Sequence, residues 1–326
     1  MENTAPFENR LNVDELNHMA YLIKNEIAKV IVGQDKTIDL LLAALLANGH
    51  VLLEGVPGVA KTLLAKLVAK TISTNFSRIQ FTPDLMPSDV LGTTIFNMGN
   101  SSFEFNRGPI FSNIVLIDEI NRSPAKTQSA LFEVMEERQV TIDGKTYPME
   151  PPFLVIGTQN PIEHEGTYRL PEAQLDRFLF KIEMGYPTLT EEVAILQNAH
   201  KRQNLNQLEA VKAVVKAEDI VRFQHLVTHV MVEEHLLRYI AQIVEKTRCV
   251  NSLYLGASPR ASLAILAASK AFAALEGRDF VTPDDIKVVL DPVLRHRIIL
   301  TPEKEMEGVK PETIIKQIVD SVEVPR

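Results

Sequence analysis

The sequence predicts an α/β fold, in which helices cover both faces of a parallel β-sheet, followed by a smaller all-α domain. Three observations support this prediction. Short aliphatic runs alternate with helical patterns in the first part of the chain, and polar residues follow directly on those runs. From residue 187 onward, helical patterns continue with little strand signal. We therefore expect a core domain at 1–186 and a helical domain at 187–326.

The chain opens with two predicted helices. An apolar stripe that includes Leu16 and Ile27 marks the first, which covers residues 1 to about 30. The second runs from Ile38 to Leu46 and ends near Asn48-Gly49, where glycine suits a C-terminal cap. The aliphatic run Val51-Leu52-Leu53 then predicts the first buried strand.

A phosphate-binding loop follows this strand, with the sequence Gly55-Val56-Pro57-Gly58-Val59-Ala60-Lys61-Thr62. Glycines let backbone N–H groups turn toward an anion, and the next helix adds positive potential at its N-terminus. Lys61 is expected to reach the β- and γ-phosphates, and Thr62 to hold Mg²⁺. Ala60 replaces the second glycine of the strict pattern, which is tolerated if the backbone there does not need a positive φ. The alternative is a Gly-Pro-Gly turn that only joins strand to helix.

Arg78-Ile79-Gln80-Phe81 predicts another strand, and a segment rich in Pro, Gly, Asn and Ser follows it. Within this segment, Leu91–Phe96 and Phe103–Phe105 predict a hairpin inserted between core elements. A long insertion in a compact domain is usually functional.

The run Ile114-Val115-Leu116-Ile117 predicts a strand buried on both faces, with Asp118 and Glu119 at its carboxyl end. An acidic pair in this position suits Mg²⁺-assisted hydrolysis. Asp118 would orient the metal through its water shell, and Glu119 would polarise the attacking water. The alternative is a solvated pair at the entry of a helix.

Downstream elements place further polar residues at strand ends. Ser123-Pro124 predicts a helix start, and Val140–Tyr147, with Asp143-Gly144 at its turn, predicts a second hairpin. The strand Phe153–Ile156 leads to Asn160, whose amide could contact the γ-phosphate or the water; an Asn-Pro turn is the alternative.

Two arginines are candidate phosphate contacts. Arg177 precedes a predicted strand at Phe178–Ile182 and could reach a phosphate in a neighbouring subunit, with Arg169 as the rival. The alternative for Arg177 is a salt bridge with Asp176 or Glu172. Arg260 follows the helix start Ser258-Pro259, and Thr188 with Glu191 and Thr282-Pro283 mark other helix starts.

Composition bounds the function. The 326 residues carry a net charge of −8, which argues mildly against broad attraction to nucleic acid or anionic membrane. One cysteine, Cys249, excludes an internal disulfide, and the N-terminal residues lack the pattern of a secretory signal, so a cytoplasmic location is expected. The longest apolar stretch is too short to span a bilayer. His225 and His229 share a helix face, but such a pair on an amphipathic helix is far more often exposed or half-buried than metal-binding.

Taken in order, these motifs resemble the MoxR family of AAA+ ATPases over nearly the whole chain. The resemblance lies in the phosphate loop, Asp118-Glu119-Ile120-Asn121-Arg122, Thr158-Gln159-Asn160-Pro161, Leu170–Phe178 and Gly256–Arg260. It implies a P-loop αβα core with a helical lid, and a ring, usually a hexamer, that holds ATP between subunits.

The resemblance also implies roles for individual residues. They are a Walker B motif at Asp118 and Glu119, a sensor 1 at Asn160, an arginine finger at Arg177 and a sensor 2 at Arg260. Nucleotide contacts are implied at Gly55, Pro57, Gly58, Val59, Ala60, Lys61, Thr62 and Leu63.

Proteins of this family act as chaperone-like ATPases that mature or activate other proteins, often with a von Willebrand factor A domain partner. The sequence therefore predicts an ATP-hydrolysing ring that remodels a protein client, with ATP and Mg²⁺ as its ligands. A nucleic-acid-dependent or chelatase-like motor of the same clade is the alternative, and a nucleotide switch with little turnover ranks below both.

Overall fold

The computed structural model describes residues 11–99, 101–161, 170–202 and 207–325, with the backbone alone at 201 and 202. The chain divides into two compact units. One is Leu22–Val221, and the other is Arg222–Arg326 together with the segment that ends at Tyr21. The predicted boundary between core and helical domain, after residue 186, falls within the first of these units and stays a prediction.

The first unit is built on a five-stranded parallel sheet, which confirms the predicted α/β core. The order of the strands across the sheet is β2 (Phe76–Gln80), β5 (Ile114–Asp118), β8 (Leu154–Gln159), β1 (Val51–Gly55) and β9 (Phe180–Met184). Parallel pairing explains why strands such as β5 and β8 are aliphatic on both faces. The strands are β1 (Val51–Gly55), β2 (Phe76–Gln80), β3 (Gly92–Asn97), β4 (Ser102–Arg107), β5 (Ile114–Asp118), β6 (Gln139–Ile142), β7 (Lys145–Pro148), β8 (Leu154–Gln159) and β9 (Phe180–Met184).

The first eight α-helices in the described part of the chain come before, between or after these strands in the sequence. A 3₁₀ turn at Ile120–Arg122 follows β5. Helix α3 begins at Lys61, so the last two residues of the phosphate-loop sequence, Lys61 and Thr62, lie in its first turn. The helices are α1 (Asp14–Ala28), α2 (Asp35–Leu46), α3 (Lys61–Thr71), α4 (Pro87–Leu91), α5 (Ala125–Glu137), α6 (Glu172–Leu175), α7 (Leu189–Arg202) and α8 (Ala217–Thr228).

The remaining elements are mainly helical, as predicted, with one short antiparallel pair of strands that the sequence pattern did not reveal. They are α9 (Glu234–Cys249), β10 (Leu253–Leu255), α10 (Pro259–Leu275), α11 (Pro283–Leu294), β11 (Ile299–Leu300), α12 (Pro302–Met306) and α13 (Pro311–Ser321). Within the described residues, no helix is both long enough and apolar enough to cross a membrane.

Both predicted hairpins are present. Strands β3 and β4 pair antiparallel, as do β6 and β7, whose turn places Asp143 and Gly144 at φ values of +52° and +75°. The hairpins also contact each other, since Thr94 Oγ1 donates to Asp143 Oδ2 over 2.6 Å. The β3–β4 hairpin exposes apolar side chains, including Phe96, Met98 and Phe103.

Most of the predicted helix starts are confirmed. The Thr188 backbone N–H donates to Glu191 Oε2 over 2.7 Å, Ser258 caps α10, and Thr282 forms a capping box with Asp285. These side chains satisfy N–H groups that have no partner inside the helix.

Several local predictions were wrong by one or two residues, including the strand predicted at Arg78–Phe81, which is Phe76–Gln80. At the end of α2, Asn48 rather than Gly49 takes the positive φ, +55°. Gly49 instead lies against Leu179, where an added Cβ would come within 2.6 Å of the leucine Cβ. Pro124, not Ser123, is the N-cap of α5, because Pro124 has extended backbone and α5 begins at Ala125. The strand predicted from Phe178 begins at Phe180.

Candidate active site

The carboxyl ends of β1, β5 and β8 meet at one edge of the sheet, because these strands are neighbours and parallel. A cleft of about 370 Å³ opens there. It brings together residues that are far apart in sequence. Its lining consists of Pro57, Gly58, Ala60, Lys61, Thr62, Leu63, Arg78, Gln80, Asp118, Glu119, Thr158 and Asn160.

The backbone of the phosphate loop differs from expectation at one position. Ala60 lies in the left-handed region, with φ +64° and ψ +23°. The backbone at this position therefore does need a positive φ, and the methyl group of Ala60 costs conformational free energy there. Gly58 has φ +90° and faces open space. Gly55 is needed for another reason, since a Cβ there would lie 2.7 Å from the carbonyl oxygen of Met184. Val59, also in the loop, is buried.

Lys61 is held over the edge of the sheet. Its Nζ donates to the carbonyl oxygen of Gly55 over 2.5 Å and to that of Gln159 over 3.4 Å. These carbonyls lie at the ends of β1 and β8, so the ammonium group lies where those two strands finish. Thr62 and Leu63 follow in the first turn of α3 and line the same cleft.

Asp118 is buried and bonded through both carboxylate oxygens. Arg78 Nε lies 2.5 Å from Oδ2, and Thr158 Oγ1 donates to Oδ1 over 3.1 Å. Arg78 comes from β2, the edge strand beside β5, and Thr158 comes from β8 on the other side. The carboxylate is therefore oriented by both neighbouring strands.

Glu119 adopts a backbone conformation that is uncommon for a residue with a side chain, with φ +57° and ψ +53°. Its carboxylate oxygen Oε2 accepts a hydrogen bond from Gln80 Nε2 over 2.7 Å and lies 3.2 Å from Arg122 Nε. Its backbone N–H donates to Thr158 Oγ1 over 3.1 Å. Strained backbone held by several contacts is typical of functional sites.

The cleft can accept a phosphorylated ligand with Mg²⁺. Hydroxyl and carboxylate oxygens, the ligands that Mg²⁺ prefers, come from Thr62 and Asp118, which line the same cleft. The loop offers open space at Gly58 and the N-terminus of α3, and Lys61 adds a positive charge. These residues fit the predicted metal and nucleotide.

Asn160 is also buried and lines this cleft. Neither Arg177 nor Arg260 is among the residues that line the cleft. Arg177 Nη1 donates to the carbonyl oxygen of Phe132 in α5 over 2.5 Å, and Nε lies 4.0 Å from Glu136. Arg260 is exposed in the first turn of α10, where its backbone N–H donates to Ser258 Oγ. Arg169 lies outside the described residues.

Sequence reasoning missed three lining residues that hold the acidic pair: Arg78, Gln80 and Thr158. Arg78 and Gln80 are two apart on β2, so both side chains emerge on one face of the sheet. That alternation was readable in the sequence. The sequence did not reveal that β5 is the strand next to β2, because the pairing of β2 with β5 is a property of the folded sheet.

Comparison with known proteins agrees with this geometry. Residues 50–180 match the family model "ATPase family associated with various cellular activities (AAA)", and residues 245–318 match the AAA lid domain. The chain is 47% identical to Chaperone MoxR1 of Mycobacterium tuberculosis, over 92% of this chain and 81% of that protein. It is 50% identical to the uncharacterized protein YeaC of Bacillus subtilis, over 92% of each.

A solved structure is similar over almost the full length. The crystal structure of a protein from Cytophaga hutchinsonii, provisionally named an ATPase, superposes with a TM-score of 0.89 at 43% identity. The match covers 96% of this chain and 97% of that one. The fold, including its helical part, is therefore shared with that protein.

Proposed function

The chain belongs to the MoxR family of AAA+ ATPases, and from that premise we propose that it binds ATP with Mg²⁺ in the strand-end cleft and hydrolyses it to ADP and phosphate. One observation carries the proposal. A single cleft at the N-terminus of α3 is lined by residues from three separate stretches of sequence, namely Lys61, Thr62, Asp118, Glu119 and Asn160.

Each residue of the cleft has a proposed task. Backbone N–H groups of the loop and the N-terminus of α3 bind the phosphates, and Lys61 moves its ammonium group from strand-end carbonyls to the β- and γ-phosphates. Thr62 would hold Mg²⁺ and Asp118 would orient it, and the bound metal would neutralise charge that develops on the phosphates.

The water that attacks the γ-phosphate needs a base and a fixed position. Glu119 polarises the water, and the hydrogen bond that it accepts from Gln80, together with its ion pair with Arg122, limits the positions that its carboxylate can take. Asn160 holds the water or the γ-phosphate through a neutral amide, which does not compete for the proton.

Beyond the single subunit, we propose a ring, with six subunits as the expected size, in which Arg177 reaches the nucleotide of a neighbour and Arg260 contacts nucleotide as sensor 2. We further propose residues 1–186 as the ATPase core and 187–326 as the lid.

The name of the relative Chaperone MoxR1 supports a protein client. A von Willebrand factor A domain partner and a cytoplasmic location remain parts of this proposal. The net charge of −8 favours a protein client over nucleic acid.

The test combines calorimetric binding of ATP with a phosphate-release assay on the purified chain. Glu119→Gln should still bind ATP but lose turnover by about 10²-fold or more, the usual contribution of a general base. Lys61→Ala should lose binding as well.

Lys66→Ala on the same helix and the exposed Glu133→Gln on α5 are matched controls, and both should behave like the wild type. Normal turnover in Glu119→Gln would remove the role assigned to that residue. Absence of ATP binding by the wild type would remove the proposed function.

A further inference from the structure

The ion pair between Arg78 and Asp118 joins a protein cation to the carboxylate that is proposed to orient Mg²⁺. Arg78 Nε lies 2.5 Å from Asp118 Oδ2. The two side chains differ in exposure, because 10% of the Asp118 side chain is accessible but 49% of the Arg78 side chain is. The cation therefore reaches a buried carboxylate from a position that itself lines the cleft.

Strand register holds this pair in place. Strand β2 pairs in parallel with β5, with Gln80 opposite Asp118 and Arg78 opposite Leu116. The guanidinium thus extends along the strand direction by about two residues to meet the carboxylate. Since Thr158 Oγ1 holds the other oxygen, Asp118 has little freedom to turn away from Arg78.

A guanidinium and a divalent cation cannot share one carboxylate without repelling each other. The repulsion is screened where the arginine is half exposed, but it acts across a few ångströms and involves three positive charges. We propose that Arg78 competes with Mg²⁺ for Asp118 and thereby sets how strongly Mg²⁺ strengthens nucleotide binding. This inference rests on the proposed function, because it takes the cleft to hold nucleotide with its metal.

The sign of one effect separates competition from simple positioning. When Arg78 competes with the metal, removal of its charge raises the gain in nucleotide affinity that Mg²⁺ provides. When Arg78 only orients Asp118, the same change lowers that gain. A ratio of affinities is the right readout, because any general loss of anion binding on removing a positive charge cancels in it.

The experiment measures calorimetric binding of AMP-PNP, a non-hydrolysable ATP analogue, in saturating Mg²⁺ and in EDTA. We expect the ratio of the two affinities to rise about threefold to tenfold in Arg78→Gln and in Arg78→Met. Arg78→Lys keeps the charge and should stay within about twofold of the wild type.

Arg107→Gln is the matched control, since Arg107 lies on β4, is 53% exposed and pairs with Glu150 at 3.7 Å. Melting temperatures without ligand verify that each variant is folded. A ratio that is unchanged or lower in both neutral variants overturns the inference but leaves the proposed function standing. A wild type that binds AMP-PNP under neither condition overturns the proposed function and the inference with it.

Discussion

Gln80 Nε2 donates a hydrogen bond to Glu119 Oε2 over 2.7 Å. Gln80 is the last residue of the edge strand β2, and Glu119 directly follows the neighbouring strand β5. Arg122 Nε lies 3.2 Å from the same oxygen. One carboxylate oxygen is therefore restrained by two side chains, of which only Gln80 belongs to the sheet. Gln80 is a positioning residue for the proposed base, since it acts on the reaction only through Glu119.

Gln80→Leu should lower the kcat of ATP hydrolysis by about threefold to tenfold and leave KM unchanged. The substitution keeps the size of the side chain but removes the donor, so the Glu119 carboxylate spends less time where it can polarise the water. Steady-state kinetics check this, and Gln139→Leu at an exposed position on β6 is the control. An equal change in KM, or an unaltered kcat, would contradict the positioning role.

Arg177→Ala should reduce ATPase turnover by at least tenfold when subunits are assembled, because an arginine that acts across a subunit boundary stabilises charge in the transition state. The hydrogen bond of Arg177 to the carbonyl oxygen of Phe132 and its ion pair with Glu136 give it a second, structural role within its own subunit, against α5. Turnover per subunit as a function of protein concentration, together with the melting temperature, separates these roles.

Mixing two inactive variants makes the test of Arg177 sharper. Arg177→Ala subunits retain Glu119, and Glu119→Gln subunits retain Arg177, so a mixed ring should contain some complete sites and recover part of the activity. Arg177→Ala mixed with itself is the control. Failure to recover activity in mixtures that assemble normally would mean that Arg177 serves only its contacts with α5.

Sequence patterns predicted most of the fold because the signals were local. Aliphatic runs marked β1, β5 and β8, an Asp-Gly pair marked the β6–β7 turn, and cap residues marked α7, α10 and α11. The strand-end position of the candidate residues followed from parallel pairing alone. Their meeting in one cleft depends in addition on β1, β5 and β8 being neighbours in the sheet, which the sequence pattern does not give.

The remaining features depend on which elements become neighbours. Arg78 and Gln80 reach the acidic pair because β2 pairs with β5. Glycine is required at position 49 because the backbone there lies against Leu179. Backbone strain at Ala60 and Glu119 is also invisible in the sequence, since both residue types normally have negative φ. These are consequences of tertiary packing, which overrides local preference.

Ala60→Gly should stabilise the chain by up to about 1 kcal/mol, because glycine adopts φ +64° without the clash of a Cβ. The gain is limited by the greater entropy of glycine in the unfolded chain. Gly58→Ala is the opposite test, since φ is +90° and the added methyl group meets open space, so any loss of stability reports strain alone. Urea unfolding of both variants checks the prediction, which requires changes of opposite sign.

His50 is a buried titratable group that the sequence did not single out. Its Nδ1 accepts a hydrogen bond from the Val155 N–H over 3.0 Å, and Nε2 lies 3.0 Å from the carbonyl oxygen of Met135, to which it donates. The two contacts assign the neutral form with the proton on Nε2. Burial lowers the pKa of His50 to about 3, and the positive charge of Arg138 contributes to the same shift.

Stability should fall as the pH falls below about 6.5, because the unfolded chain then protonates His50 while the folded chain does not until pH is about 3. The contribution lost between pH 7 and pH 5 is about 2 kcal/mol, and it is lost progressively rather than at one pH. His50→Gln removes this titration, so its unfolding free energy should depend less steeply on pH over that interval, even though the variant is less stable at pH 7. Urea unfolding at pH 5, 6 and 7 provides the comparison, and equal slopes for His50→Gln and the wild type would show that His50 is protonated in the folded chain above pH 5.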